Sequence, residues 1–270
     1  MWIDTHCHLD AHEFGGESLA VAQRAGAGGV SMIVIPAVDR YNFDVVAELA
    51  ATATNASYAL GIHPICVPKA SEGDLATLRA KVEAALADPR FVAIGEIGLD
   101  FFIPMLSEPA MREKQDYFFR EQLRIARDFE LPVLMHVRRS QDQVLKHVRQ
   151  IRPAGGIAHA FNGSFQQAQT HIDLGFRLGF GGAMTFTRAL QIRRLAATLP
   201  LDAIVLETDA PDISPAWIHP ARNSPEQLPA IGAALADMRA MTAEAIATAT
   251  RQNALAALPR LGALLKFRRA

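Results

Sequence analysis

Trp2-Ile3-Asp4-Thr5-His6-Cys7-His8 opens the chain as a short apolar strand that ends on two histidines one residue apart. Side chains alternate across a β-strand with period two, so His6 and His8 project from one face and both imidazoles reach one metal ion. Working outward, seven further runs share this strand character: Val30 to Ala37, Ser57 to His63, Phe91 to Asp100, Pro132 to Val137, Gly156 to Phe161, Phe176 to Met184 and Ala203 to Asp209. Each is short and apolar, as strands buried on both faces are. Helical patterns rich in Ala, Leu, Glu and Arg lie between them, over Asp44 to Ala53, Asp74 to Ala87, Ala110 to Phe129, Gln141 to Gln150, Phe165 to Leu174 and Arg188 to Leu199. The tail adds Pro225 to Met238 and Ala243 to Leu258. Strands alternating with helices predict parallel βα units. Eight such units close most economically into an α/β fold of the (β/α)8 TIM barrel type. A doubly wound open sheet is the alternative, but no G-x-G-x-x-G or phosphate-loop pattern follows the first strand.

Composition sets the outer bounds. A chain of 270 residues matches one large barrel domain, residues 1–270. Half of the residues are hydrophobic, which supports a sizeable core and argues against disorder. A net charge of −1 gives no global basicity, so contact with nucleic acid has to rest on local basic patches. The only cysteines are Cys7 and Cys66, which excludes a disulfide framework and fits a reducing, cytoplasmic compartment. Asp4 and His6 interrupt any apolar signal-peptide start. The apolar runs fall far short of the roughly 20 residues a bilayer span needs, so no membrane partner is expected. There is no linker, repeat or low-complexity tract, and no heptad seam to define an oligomeric state.

In a barrel of this kind the active site lies at the C-terminal ends of the strands. Strand 1 brings His6 and His8 there, and strand 3 ends in Gly61-Ile62-His63-Pro64. Strand 4 carries Glu96, strand 5 ends on His136, strand 6 reaches His159 and strand 8 reaches Asp209. Each polar residue interrupts a run expected to be buried, and a buried charge or imidazole without a partner costs several kcal/mol. A metal centre gives these interruptions a shared explanation, because His and carboxylates ligate zinc, manganese and similar divalent ions. His6, His8, Glu96, His136, His159 and Asp209 are more ligands than one tetrahedral zinc takes, which predicts two ions. Asp4 shares the inward parity of His6 and suits a supporting role, whereas Cys7 has the opposite parity and packs outside the barrel.

These segments together resemble the TatD-type metal-dependent deoxyribonuclease family, a branch of the amidohydrolase-like barrels. The match includes Asp4-Thr5-His6-Cys7-His8-Leu9-Asp10, Gly61-Ile62-His63-Pro64, Gly95-Glu96-Ile97-Gly98-Leu99-Asp100 and Pro132 to His136. It continues with His159-Ala160-Phe161-Asn162-Gly163-Ser164 and Glu207-Thr208-Asp209-Ala210-Pro211. The resemblance implies a binuclear centre: His6, His8 and Asp209 on one ion, His136 and His159 on the other, and Glu96 bridging where related barrels use a carbamylated lysine. It also implies 3′-to-5′ exonuclease action on single-stranded DNA ends. Ala221-Arg222-Asn223-Ser224-Pro225 is similar to the family's Arg-Asn-x-Pro element, which would turn Arg222 and Asn223 toward substrate. Two departures stand out. Ala160-Phe161-Asn162-Gly163 replaces the usual cysteine, phenylalanine, serine and glycine, and Phe101 to Pro109 fits only loosely.

The chemistry expected of such a centre is phosphodiester hydrolysis. A metal-held hydroxide attacks phosphorus, with Asp209 and Glu96 as the catalytic carboxylates and Asp209 taking up the proton. His63 is placed to bond a phosphate oxygen. Arg138, Arg139, Arg188 and Arg222 follow strands 5, 7 and 8 and offer phosphate contacts. Phe14 and Phe161 are candidates for base stacking. The terminal Lys266-Phe267-Arg268-Arg269 reads as an exposed tail. The sequence does not choose among zinc, manganese and magnesium, although the His-rich ligand set leans toward zinc or a transition metal. The alternative activity is hydrolysis of another ester or amide, such as a lactone, cyclic amide or aminoacyl ester, since the same chemistry serves all of them.

Overall fold

The computed structural model describes residues 1–267, and the side chains of the Lys266-Phe267-Arg268-Arg269 tail lie outside what is described. Eight strands form one sheet: β1 Trp2–Asp4, β2 Val30–Pro36, β3 Ala56–Leu60, β4 Phe91–Asp100, β5 Val133–Arg138, β6 Gly156–Ala158, β7 Phe176–Phe180 and β8 Ile204–Leu206. Their order is β1 to β8 in sequence, and every neighbouring pair is parallel. The two edges meet through Thr5, whose N–H and hydroxyl both donate to the Leu206 carbonyl at 3.1 Å. The Asp209 N–H donates to the His6 carbonyl at 2.8 Å, and the His8 N–H to the Ala210 carbonyl at 2.8 Å. The barrel therefore closes through residues expected to carry its chemistry.

Helices cover the outside: α1 Ser18–Ala27, α2 Phe43–Thr52, α3 Glu72–Ala85, α4 Pro109–Asp128, α5 Gln141–Ile151, α6 Phe165–Asp173, α7 Leu190–Thr198, α8 Leu228–Arg239, α9 Ala243–Ala257 and α10 Pro259–Phe267. The sequence pattern did not predict α1 or α10. In α1 only Val21, Ala22 and Ala25 are buried, too narrow an apolar stripe to stand out. Within the barrel, Ile3, Val34, Ala59, Ala93, Ile157 and Val205 pack against Leu258, Leu261 and Leu264. Arg260 of α10 donates to the carbonyls of Leu86, Asp88 and Phe91, which places this plug beneath the start of β4. One end of the barrel is thus filled with hydrocarbon, and polar side chains collect at the other. Cys7 is buried in the outer apolar layer, on the side its parity indicated. Among the described residues no helix is long and apolar enough to cross a membrane.

Five strands are shorter than expected. β1, β3, β6, β7 and β8 stop three or four residues before the predicted ends at His8, His63, Phe161, Met184 and Asp209. Only Glu96 and His136 lie within strands; His6, His8, His63, His159 and Asp209 follow them. The chain leaves its ladder so that these side chains converge. Ala160 and Asp209 have φ angles of 45° and 54°, in the left-handed region that side-chain-bearing residues seldom enter.

Candidate metal centre

The longest strand, β4, carries the central carboxylate. Its register against β5 slips between Ile94, opposite Val133, and Ile97, opposite Met135, so that three steps on β4 match two on β5. Such a bulge re-aims a side chain, and Glu96 sits in it. Close approach of the two strands continues at Gly98, where a Cβ would come within 1.9 Å of the His136 carbonyl oxygen.

Five imidazoles surround Glu96 and divide between its two oxygens. Oε2 lies 3.0 Å from His6 Nε2 and 3.3 Å from His8 Nε2. Oε1 lies 2.8 Å from His159 Nε2, 2.9 Å from His136 Nδ1 and 3.4 Å from His63 Nε2. Asp209 Oδ1 joins the first group, 3.7 Å from His6 Nε2 and 3.9 Å from His8 Nε2. The His6 and His159 rings stack at 3.9 Å, and His63 meets His136 edge-on at 4.4 Å. All six residues of the expected ligand set are brought together, with His63 as a seventh member. Ligand atoms close enough to share an ion occur in His6, His8 and Asp209, in His6, Glu96 and His159, and in His63, Glu96 and His136.

Electrostatics explains why this arrangement suits a cation. Burial pushes the Glu96 carboxyl up, but His159, His63 and His6 outweigh it and hold the group well below the usual carboxylate range. Burial pulls His159 down, yet Glu96 and Asp209 raise it to about 10. His8 behaves alike and rises to about 9 through Glu96 and Asp209. His6, the deeper partner, is driven down to about 3 by burial and by His159. His63 falls to about 4, chiefly through burial. A buried anion thus draws protons onto the imidazoles that can hold them. His6 Nε2 and His8 Nε2 stand only 3.3 Å apart, aimed at the same oxygen. A divalent ion supplies positive charge at that convergence and displaces the protons, so the donor set fits a divalent metal site.

The surrounding residues hold the ligands in place. Asp4 Oδ2 accepts from the Thr208 hydroxyl at 2.6 Å, and its Oδ1 accepts from the backbone N–H groups of Thr208 at 3.0 Å and His6 at 3.3 Å. It therefore ties the backbone of strand 1 to that of strand 8 rather than gripping an imidazole. Two carboxylates received no role from the sequence. Asp100 Oδ2 lies 3.2 Å from His136 Nε2, and its Oδ1 accepts from the N–H groups of Phe102 and Ile103. Glu207 is buried and held by the Ala160 N–H, with Oε1 3.8 Å from His159 Nδ1. A Cβ on Gly179 would fall 2.1 Å from Glu207 Oε2, so only glycine leaves room for this carboxylate. Both lie inside the conspicuous runs Gly95 to Asp100 and Glu207 to Asp209, and that adjacency was the available signal.

The expected substrate contacts divide. Arg138 is half-exposed, with Nη1 3.9 Å from Asp100 Oδ2. Arg222 donates to the Glu13 carbonyl at 2.8 Å and lines a cleft of about 680 Å³ with Arg188, Phe186, Asp212, Ile213 and His219. The cleft wall includes Pro211 and Asp212, in the loop that follows Asp209, and none of the clustered histidines or Glu96. Three expectations need correction. Phe161 is 2% exposed and packed against His171 and Phe180, so it offers no face to a base. Phe14 is likewise buried, beneath the Arg222 guanidinium. Asn223 is fully buried, and its amide donates to the carbonyls of Thr208, Asp212 and Ile213 while its oxygen accepts from the Ser224 N–H. It braces the loop that presents Asp209 instead of facing substrate.

A parallel βα barrel with a His and carboxylate cluster of this kind at its mouth defines the class: a metal-dependent hydrolase. The family described as TatD related DNase matches residues 3–259. This chain belongs to that TatD family. It is 39% identical over 253 residues to the uncharacterized metal-dependent hydrolase YjjV of Escherichia coli K12, spanning 93% of this chain and 95% of that protein. An uncharacterized metal-dependent hydrolase of Haemophilus influenzae is 36% identical over 257 residues, spanning 94% and 97%. The crystal structure of YjjV matches with a TM-score of 0.89 at 38% identity, over 96% of this chain and 98% of that one. A TatD family hydrolase of Entamoeba histolytica shares the fold, with a TM-score of 0.82 at 20% identity over 95% and 97% of the two chains.

Proposed function

We infer that this chain is a deoxyribonuclease that removes nucleotides from single-stranded 3′ ends with two divalent ions, zinc, manganese or magnesium, in a reducing cytoplasmic setting. The observation that carries the reading is the division of the imidazoles between the two oxygens of Glu96. His6, His8 and Asp209 stand with Oε2, and His136 and His159 stand with Oε1. These residues would hold the two ions, with Glu96 between them. Bound divalent ions supply Lewis acidity, which makes water a nucleophile near neutral pH and offsets charge on phosphate oxygens. DNA as the substrate follows the family's description.

The protein's own groups do the remaining work. Asp209 stands beside His6 and His8, with one carboxylate oxygen toward them. Its carboxylate is placed to take up the proton lost by water as the water oxygen bonds to phosphorus, and the 3′ oxygen that leaves takes a proton from solvent. His63 Nε2 donates to a non-bridging phosphate oxygen from the edge of the cluster. Arg138 and Arg222 hold the flanking strand through its phosphates.

End-labelled single- and double-stranded DNA, incubated with metal-loaded protein and magnesium, manganese or zinc, tests the reading. Mononucleotides should appear from the 3′ end, and Asp209→Asn should lower turnover by about 10²- to 10⁴-fold. Hydrolysis of small esters with no cleavage of nucleic acid would overturn the nuclease assignment.

A further inference from the structure

Phe102 is 43% exposed at the barrel mouth, in the loop after β4 where the sequence fits its family only loosely. Two guanidiniums cover this ring. Arg138 Cζ lies 3.9 Å and Arg139 Cζ 4.6 Å from its centroid. Consecutive residues of a strand point to opposite faces, so two neighbouring arginines do not ordinarily meet one ring. Arg139 reaches it because its φ is 56°, in the left-handed region, which turns the chain at the end of β5. Among the described residues no hydrogen bond engages either guanidinium, and the nearest carboxylate is Asp100, 3.9 Å from Arg138. The pair therefore presents planar donor forks with no acceptor of their own, the geometry that binds phosphate bidentately.

The position of the pair matters as much as its chemistry. Arg138 stands two residues beyond His136 on β5 and shares its parity, so it continues the line that begins at the metal cluster. The same loop is tied to that cluster: the Phe102 N–H donates to Asp100, which contacts His136, which contacts Glu96. We propose that Phe102, Arg138 and Arg139 form a docking site for the phosphate next to the scissile one, with the Phe102 ring holding both guanidiniums in place before substrate arrives. The proposal rests on the nuclease reading and narrows it. The preferred substrate is a strand with at least two phosphodiesters, engaged on the side of β4 and β5. Ring and cation held together in advance lose less freedom when the anion binds.

Kinetics on two substrates provide the test: a short single-stranded oligonucleotide, and bis(4-nitrophenyl) phosphate, which has one diester and no neighbour. Phe102→Leu should raise KM for the oligonucleotide about two- to fivefold, the range of an exposed cation–π contact, with little change in kcat. The KM effect on bis(4-nitrophenyl) phosphate should be smaller by at least about twofold, and Phe102→Tyr should restore the oligonucleotide KM. Arg138→Gln with Arg139→Gln should also flatten the salt dependence of oligonucleotide binding in EDTA, reducing the slope by about 0.7 for the one phosphate lost. Equal effects of Phe102→Leu on both substrates, or an unaltered oligonucleotide KM, would overturn the proposal while the nuclease reading stands. Wild-type protein that turns over the small diester but no oligonucleotide would remove the nuclease reading, and this docking site with it.

Discussion

Buried histidines occupy two regions of this molecule, and they differ in what they face. At the barrel mouth five imidazoles turn their nitrogens on one carboxylate, Glu96. Among the outer helices His171 of α6 has the Gln141 oxygen at 3.0 Å as its polar contact and packs edge-on against Phe161 and Phe176, and His147 of α5 meets Asp116 at 3.2 Å and Gln143 at 3.2 Å. Burial does not separate the two regions. Neither does an unpartnered ring nitrogen, since Nδ1 lacks a partner in His6 and His159 as it does in His147 and His171. What separates them is convergence: several donors sharing one anion make a cation site, and a lone imidazole beside an amide makes packing.

Removing the shared anion tests that contrast most severely. Glu96→Ala should empty both proposed ion positions and reduce turnover by at least about 10³-fold, because several kcal/mol of charge stabilisation would depend on the ions. Elemental analysis after gel filtration reads the occupancy directly. Two ions retained per chain would end the bridging role of Glu96 and with it the distinction between the two regions. His171→Gln, the matching change in the outer layer, should leave metal content at the wild-type level.

A smaller effect is expected where only one side of Glu96 is supported. Burial raises the Asp100 carboxyl, but the hydrogen bonds from His136 and from the Phe102 and Ile103 N–H groups prevail and keep it below its ordinary value. It is therefore a carboxylate at neutral pH and accepts a proton-bearing Nε2 from His136, which leaves Nδ1 for the centre. Asp100→Asn preserves the shape and weakens that hold. Affinity on the Oε1 side should drop about 10-fold, the lower end for a supporting carboxylate, with the Oε2 side much less affected. Titration of stripped protein with cobalt(II), followed by its visible absorption, resolves the two steps. If both steps move together, the two halves of the centre are not held independently.

How much of this was readable in the chain depended on what each residue type reveals about direction. Eight strands and the convergent set His6, His8, Glu96, His136, His159 and Asp209 were readable, because polar residues in apolar runs need a common partner. Strand ends were not: Ala160 takes a positive φ that no alanine propensity announces, and Asp209, a residue type that tolerates that region, sits where the apolar run of β8 masks the turn. Phe14 and Phe161 show the other limit. An aromatic side chain in a loop has the same sequence appearance whether it packs inward, as these do, or stands open as Phe102 does. Asn223 differs from its expected role for a related reason: its amide suits substrate and backbone carbonyls equally, and only the path of the Thr208 to Ile213 loop decides between them.

The smallest effect belongs to the outer region and is read in stability. Burial, with Arg149 adding to it, lowers His171 from 6.5 to about 4. The unfolded chain therefore binds the extra proton first as pH falls, and between about 6.5 and 4 it holds more protons than the folded chain. Stability tied to this group is present above that window and is lost on acidification through it. The loss at pH 4 is at most about 3 kcal/mol. The comparison to make is the urea midpoint of metal-stripped wild type and His171→Gln at pH 7 and near pH 4, so that release of ions from the mouth does not contribute. The variant should lose less stability than wild type on acidification. Parallel losses would mean that His171 takes up its proton without cost, and that the outer imidazole is less firmly packed than its burial indicates.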